Sequence, residues 1–170
     1  MTIDAIDSEP AVDAQFLAFQ EKVKGSNIDP ETLLATDYLN HFNEVVMLIE
    51  MLPDMPDCLD MVQEWQPKTY QEHFRDSSFS DKQLAIDAYE HVPKRYRDAF
   101  EKNTARMNAL VEATTEWLEQ AIKSGDQEKL RAIASRSAAG LRKLTDVASA
   151  IIHGSEATLE QSEIDAILGD

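Results

Sequence analysis

Residues 93–152 decide the fold and read PKRYRDAFEKNTARMNALVEATTEWLEQAIKSGDQEKLRAIASRSAAGLRKLTDVASAII. On both sides of KSGD (123–126), apolar residues recur at steps of three and four, which is typical of amphipathic helices. The first predicted helix, roughly 93–123, places in its stripe Tyr96, Phe100, Met107, Leu110, Val111, Thr114, Trp117, Leu118 and Ile122. The second, about 127–152, follows the predicted N-cap Asp126. Two long helices joined by so short a turn are expected to pack antiparallel as a hairpin.

A third amphipathic stretch precedes the hairpin and predicts a buried central helix. Asp29 is a suitable N-cap, Pro30 fits the first helical position, and Pro53 ends the pattern. The apolar stripe is wide, so we expect this helix to be covered on most sides. Its stripe positions are Leu34, Tyr38, His41, Phe42, Val45, Val46, Leu48, Ile49 and Leu52.

Shorter elements complete the predicted fold. We expect short helices within 11–25 and from Pro56 to Trp65, a loop or broken helix over 68–78, and a helix begun by a capping box of Ser80 and Gln83. The sequence thus predicts an all-α protein, a helical bundle built on a long antiparallel hairpin, with shorter helices and a C-terminal amphipathic helix. The expected organisation is an acidic flexible arm (1–10), the bundle (11–153), and a linker with a binding helix (154–170).

Charge and cysteine content narrow the expected partners and compartment. Thirty-two acidic against sixteen basic residues give a net charge of −16, which repels nucleic acids and anionic membranes. Cys58 is the single cysteine, so no internal disulfide forms, and the N-terminus lacks the pattern of a signal peptide. No apolar run has the length of a membrane span. We therefore expect a cytoplasmic protein that binds no nucleic acid and has no membrane span.

The sequence offers few residues for metal or cofactor chemistry. His41 and Glu44 reverse the Glu-x-x-His order of di-iron bundles, so His41 is expected to be a core histidine with one hydrogen-bonded partner. Cys58 lies among aspartates, which suppress its thiolate, and is expected to be structural. The aromatic stretch 65–100 suits a tertiary core or, less commonly, a cofactor pocket. We predict no metal and no cofactor.

The last residues carry the most specific pattern. TLEQSEIDAILGD (158–170) has an apolar edge and acidic flanks, and Ser162 with Asp165 predicts a helix start. The part LEQSEIDAIL resembles the N-terminal peptide of the flagellar switch proteins FliM and FliN, approximately L-S-Q-x-E-I-D-A-L-L. Leu159, Gln161, Glu163, Ile164, Asp165, Ala166 and Leu168 match, Ile167 replaces a leucine, and Glu160 stands where the family has serine.

That resemblance implies a partner for the C-terminal segment. In FliM the peptide binds the chemotaxis response regulator CheY as a short helix. Here Ile164, Ile167 and Leu168 would fill a groove on a CheY-like receiver domain, while Glu163 and Asp165 would face basic residues beside it. The alternative is a last helix that folds back on its own bundle, or a tail without a binding function.

The layout also resembles the chemotaxis phosphatase CheZ, a long helical hairpin with a CheY-binding helix at its C-terminal end. That resemblance implies an acidic residue and a glutamine one turn apart, whose amide orients the attacking water. Glu116 and Gln120 have this spacing, although the neighbourhood typical of the family is absent and Glu replaces Asp. We expect an interaction protein that binds a response regulator; the alternatives are a response-regulator phosphatase and a bundle that self-associates, for example as a homodimer, or binds another apolar surface.

Overall fold

The computed structural model describes residues 14–155 and 161–168, and within these ranges the chain forms helices and no β-strand. The helices are α1 (Ala14–Lys22), α2 (Asn40–Met51), α3 (Leu59–Glu64), α4 (Tyr70–Asp76), α5 (Lys82–Tyr89), α6 (Lys94–Ser124), α7 (Gln127–Ile152) and α8 (Gln161–Leu168). Single 3-10 turns, Thr36–Leu39 and Pro56–Cys58, precede α2 and α3. The all-α bundle is confirmed; the acidic arm predicted at 1–10 lies outside the described residues.

The antiparallel pair α6 and α7 is the frame of the bundle. Gly125 ends α6 in the left-handed conformation (φ 71°), which costs glycine little. Asp126 then caps α7 as predicted, because its carboxylate accepts from the Lys129 N–H at 3.0 Å. Small residues on α7 let the helices approach closely, and the buried Asn103 amide donates to the Leu144 carbonyl at 2.9 Å across the pair.

The central helix begins about ten residues later than predicted. Asp29 caps a tight turn instead of a helix: its carboxylate accepts from the Glu31 and Thr32 N–H groups, and its own N–H donates to the Leu34 carbonyl at 2.9 Å. Leu33 adopts a left-handed φ of 63°, which breaks any helix there. The turn buries Leu33 and Leu34 completely, and this tertiary burial outweighs the local helical signal.

This turn holds the C-terminal end of α7. The Thr32 hydroxyl, fully buried, donates to the Ile152 carbonyl at 2.6 Å and accepts from the Leu34 N–H at 3.2 Å. A carbonyl in the last turn of a helix has no intrahelical partner, so Thr32 satisfies one that would otherwise be buried unpaired. Gly154 follows at φ 108°, beside the Glu31 carboxylate.

The middle of the chain contains more helix than the sequence indicated. Residues 70–76, predicted as loop or broken helix, form α4, and the Thr69 hydroxyl caps it by accepting from the Glu72 N–H at 3.2 Å. The capping box at Ser80 is wrong, since α5 begins at Lys82 without a side-chain cap. Aromatic side chains of this region pack against one another in the core, which agrees with the prediction of a tertiary core. The rings are those of Tyr38, Tyr70, Phe74, Tyr89 and Phe100.

The contact between the turn and α7 generates a stability prediction. Thr32→Val keeps the side-chain volume but removes the hydroxyl that serves two buried backbone groups, so we expect a loss of about 1–3 kcal/mol in the free energy of unfolding. Urea denaturation followed by circular dichroism measures it. Thr32→Ser, which retains the hydroxyl, should lose less. Equal losses for Val and Ser would show that packing, not the hydrogen bonds, matters here.

Candidate functional site

The C-terminal segment forms the predicted helix, and it lies on its own bundle. α8 spans Gln161–Leu168 and packs against α7, so the alternative of a helix that folds back describes this arrangement. The helix begins at Gln161, which places Ser162 inside the first turn instead of at the N-cap. Leu159 lies outside the described residues.

The apolar edge of α8 is the face that meets the bundle. Ile164 is 6% exposed, and Ile167 packs against the hydrophobic core. Beneath Ile167 lies Gly140 of α7, where a β-carbon would stand 2.7 Å from Ile167 Cγ2 and 3.2 Å from Leu110 Cδ2. Contacts below 3.0 Å do not occur between such carbons, so the absence of a side chain at Gly140 makes the seat for α8.

The polar side of α8 adds one ion pair and leaves part of the helix in solvent. The Glu163 carboxylate lies 3.5 Å from the Lys143 ammonium, with both side chains about half exposed. An ion pair of this kind contributes little to stability, about 0–1 kcal/mol. Ser162 and Ala166 are exposed, and Asp165 is partly buried. The predicted partner-binding residues with described side chains therefore lie on one short helix, with Ile164 and Ile167 turned inward.

The docked helix is short. It has eight residues, a length at which an isolated helix is marginal in water, and its seat is one glycine and the side chains around it. Segments with little buried apolar surface open locally at a small cost in free energy compared with global unfolding. We therefore expect α8 to open from α7 more readily than α6 and α7 unfold.

Glu116 and Gln120 lie one turn apart on the exposed face of α6. Among the described residues, no hydrogen bond or ion pair connects Glu116 or Gln120 to α8. Glu116 lines a groove of about 670 Å³ between α6 and the chain at 62–67, together with Trp65, Pro67 and Asn108. Their catalytic role stays a prediction.

His41 is a core histidine, as the sequence predicted. The ring is 7% exposed and stacks on Trp65 with 4.4 Å between centroids. Burial, with smaller effects from His73 and Lys68, lowers the pKa of His41 to about 4, so the ring is neutral near pH 7. The ring has one hydrogen-bond partner in the Gln66 backbone, as predicted, and its Nε2 has none among the described residues. Within the same residues, no group of three His, Cys, Asp or Glu side chains is placed to hold a metal ion.

Two features of the structure that bear on binding were not predicted from the sequence. Gly140 lies inside a long helix, where glycine costs stability relative to alanine, and such a glycine indicates a close approach by another element. The signal was therefore present, but the element that approaches lies about 25 residues further along the chain. Exposed methionines on α2 and α3 are the second feature.

Comparisons of the chain with protein-family models, curated proteins and solved structures give no match. In the described part of the chain, no helix combines the length and the apolar character needed to cross a membrane.

A single methyl group at position 140 would occupy the space in which Ile167 packs. Gly140→Ala should displace Ile167 and free α8, because the added carbon would overlap it. Alanine also favours the helix over glycine by up to about 1 kcal/mol, which offsets strain in α7. We expect 15N relaxation to show α8 amides changing from ordered to mobile, while the free energy of unfolding changes by less than about 1 kcal/mol.

The matched control is Ser135→Ala, which raises helix propensity at an exposed position of the same helix. It should leave the α8 amides as ordered as in the parent chain. If α8 stays ordered in Gly140→Ala, the glycine seat does not hold the helix.

Proposed function

We propose that this chain is a helical interaction protein that binds a CheY-like receiver domain of a response regulator through α8. The observation that carries the proposal is the C-terminal helix itself: residues 159–168 resemble the CheY-binding peptide of FliM and FliN, and 161–168 are helical. Helix-in-groove recognition requires an amphipathic helix with apolar anchors on one face. Ile164 and Ile167 supply such anchors.

The contacts of α8 with its own bundle support the same binding face. Ile164 is buried, Ile167 packs over Gly140 of α7, and Glu163 lies beside the cationic Lys143. The resemblance implies the same division for a receiver: apolar residues in the groove and carboxylates beside basic residues. A receiver would thus compete with α7 for α8. Its apparent affinity would equal its intrinsic affinity multiplied by the fraction of chains in which α8 is undocked.

The charge of the molecule is compatible with this partner. A net charge of −16 favours approach of a surface with basic residues next to the groove and disfavours nucleic acid. Such steering acts on the rate of association and weakens with salt.

Titration of a CheY-like receiver domain against the full chain, followed by isothermal titration calorimetry, tests the proposal. Binding should be lost in a chain ending at Gly154 and weakened at least tenfold by Ile164→Ser, because an apolar anchor is removed. Gly140→Ala should bind more tightly than the parent chain, since α8 no longer has to leave α7; Ser135→Ala should bind as the parent does. Equal affinity of the parent chain and the chain ending at Gly154, or no binding by either, would overturn the proposal.

A second candidate function is dephosphorylation of the bound receiver. The observation in its favour is that Glu116 and Gln120 are both exposed, one turn apart on α6, with Glu116 at the large groove. An amide that orients a water molecule contributes by positioning, which phosphoryl transfer uses heavily.

This second function predicts a rate effect. Gln120→Ala should slow decay of the phosphorylated receiver at least tenfold, and the exposed Gln127→Ala should not. The loss of receiver phosphorylation over time, with and without the chain, gives the rate. No acceleration by the parent chain, or an equal rate for Gln120→Ala, would remove this candidate.

A further inference from the structure

The exposed large apolar side chains are unevenly distributed over the described residues. They are Leu17 and four methionines, Met47, Met51, Met55 and Met61, the methionines being between 42% and 60% exposed. All four methionines fall within fifteen residues of one another, on α2, the turn after it, and α3. Single exposed apolar residues need no explanation, whereas a cluster on one part of the surface indicates an interaction site.

These exposed methionines lie on two helices that pack together and on the turn between them. Met47 and Met51 are four residues apart on α2, so they share a face of the helix. The Met55 N–H donates to the Met51 carbonyl at 3.0 Å, so the turn after α2 keeps Met55 beside the end of that helix. Met61 projects from α3, which packs on α2. We call these four residues the methionine surface.

Acidic side chains alternate with these methionines along the chain. Residues 42–67 contain no Lys, Arg or His and six carboxylates: Glu44, Glu50, Asp54, Asp57, Asp60 and Glu64. All six are exposed. Two arginines of α7 pair with two of them, Arg142 with Glu50 and Arg131 with Asp54. The other four make no ion pair within the described part of the chain, so the segment that carries the methionine surface combines exposed apolar side chains with unpaired negative charge.

We propose that the methionine surface is a second docking site, which binds a basic amphipathic helix of a partner protein. Methionine is flexible and polarisable, and it is well suited to surfaces that accept the apolar face of a helix. Lysine or arginine residues flanking that apolar face would meet the unpaired carboxylates. A second copy of this chain is disfavoured as the occupant, because two such acidic surfaces would repel each other. Anionic lipid is disfavoured because its headgroups carry the same sign of charge as the surface.

This site is separate from the one proposed for the receiver. α8 packs against α7 at Gly140 and Lys143, whereas the methionine surface lies on α2 and α3. The two proposals can therefore fail independently.

The probe is a synthetic 14-residue peptide of leucine and lysine with helical amphipathic spacing, titrated into the full chain labelled with 13C at the methionine methyl groups. We expect saturable shifts of the signals of the four surface methionines and none at Met107, which is fully buried on α6. A scrambled peptide of the same composition measures charge attraction alone, and it should bind at least tenfold more weakly.

The variant Met51→Gln with Met61→Gln keeps the charge and should weaken binding of the amphipathic peptide at least tenfold. Leu17→Gln, at the exposed apolar residue outside the surface, should leave the affinity unchanged, and thermal unfolding checks that each variant is folded. Unchanged affinity in the double variant, or equal binding of the scrambled peptide, would overturn the proposal. Two further measurements test the other occupants, sedimentation for a dimer and vesicle binding for anionic lipid. If the peptide does not bind, and the double variant instead abolishes dimerisation or vesicle binding, the proposal is also overturned.

Discussion

Close packing of α6 against α7 is the constraint on which the rest of the structure depends. The pair forms the long axis of the bundle, and its seam admits small residues and one buried cross-helix hydrogen bond, from Asn103 to Leu144. α2 packs on α7, α3 packs on α6, and α8 packs on α7, so each of these helices takes its position from the pair. The turn at 29–34 then secures the end of α7 through Thr32. Of these helices, α8 is the short one that we expect to open from the pair without loss of the core.

The sequence predicted this frame well, because its signals are local. Stripe spacing, the cap at Asp126 and the glycine at 125 are read over a few neighbouring residues, and α6 and α7 follow them closely. The segment 29–39 shows the limit of such signals. Asp29 and Pro30 are typical of a helix start, but Thr32 has its hydrogen-bond partner 120 residues away at Ile152, and that contact requires a turn. Only the tertiary structure decides between the two uses of the same residues.

In the candidate site, too, some features follow from the local sequence and others only from the tertiary structure. The amphipathic pattern of 161–168 was sufficient to predict a helix and its apolar face. It did not show where that face would lie, since the seat at Gly140 is made by a missing side chain on another helix. The inward position of Ile164 and Ile167 changes the proposed mechanism of binding: recognition becomes an exchange of α8 between two apolar surfaces. The free energy of docking on α7 would then set the threshold at which a receiver is bound.

The most direct test of this exchange is the nuclear Overhauser effect between the Gly140 α-protons and the Ile167 γ2-methyl group. The account predicts that this effect is present in the free chain, because the two groups are in contact, and that it disappears on saturation with a CheY-like receiver while effects between α6 and α7 persist. Its absence from the free chain would contradict the docked position of α8. Its persistence in the saturated complex would contradict the claim that a receiver takes the same face.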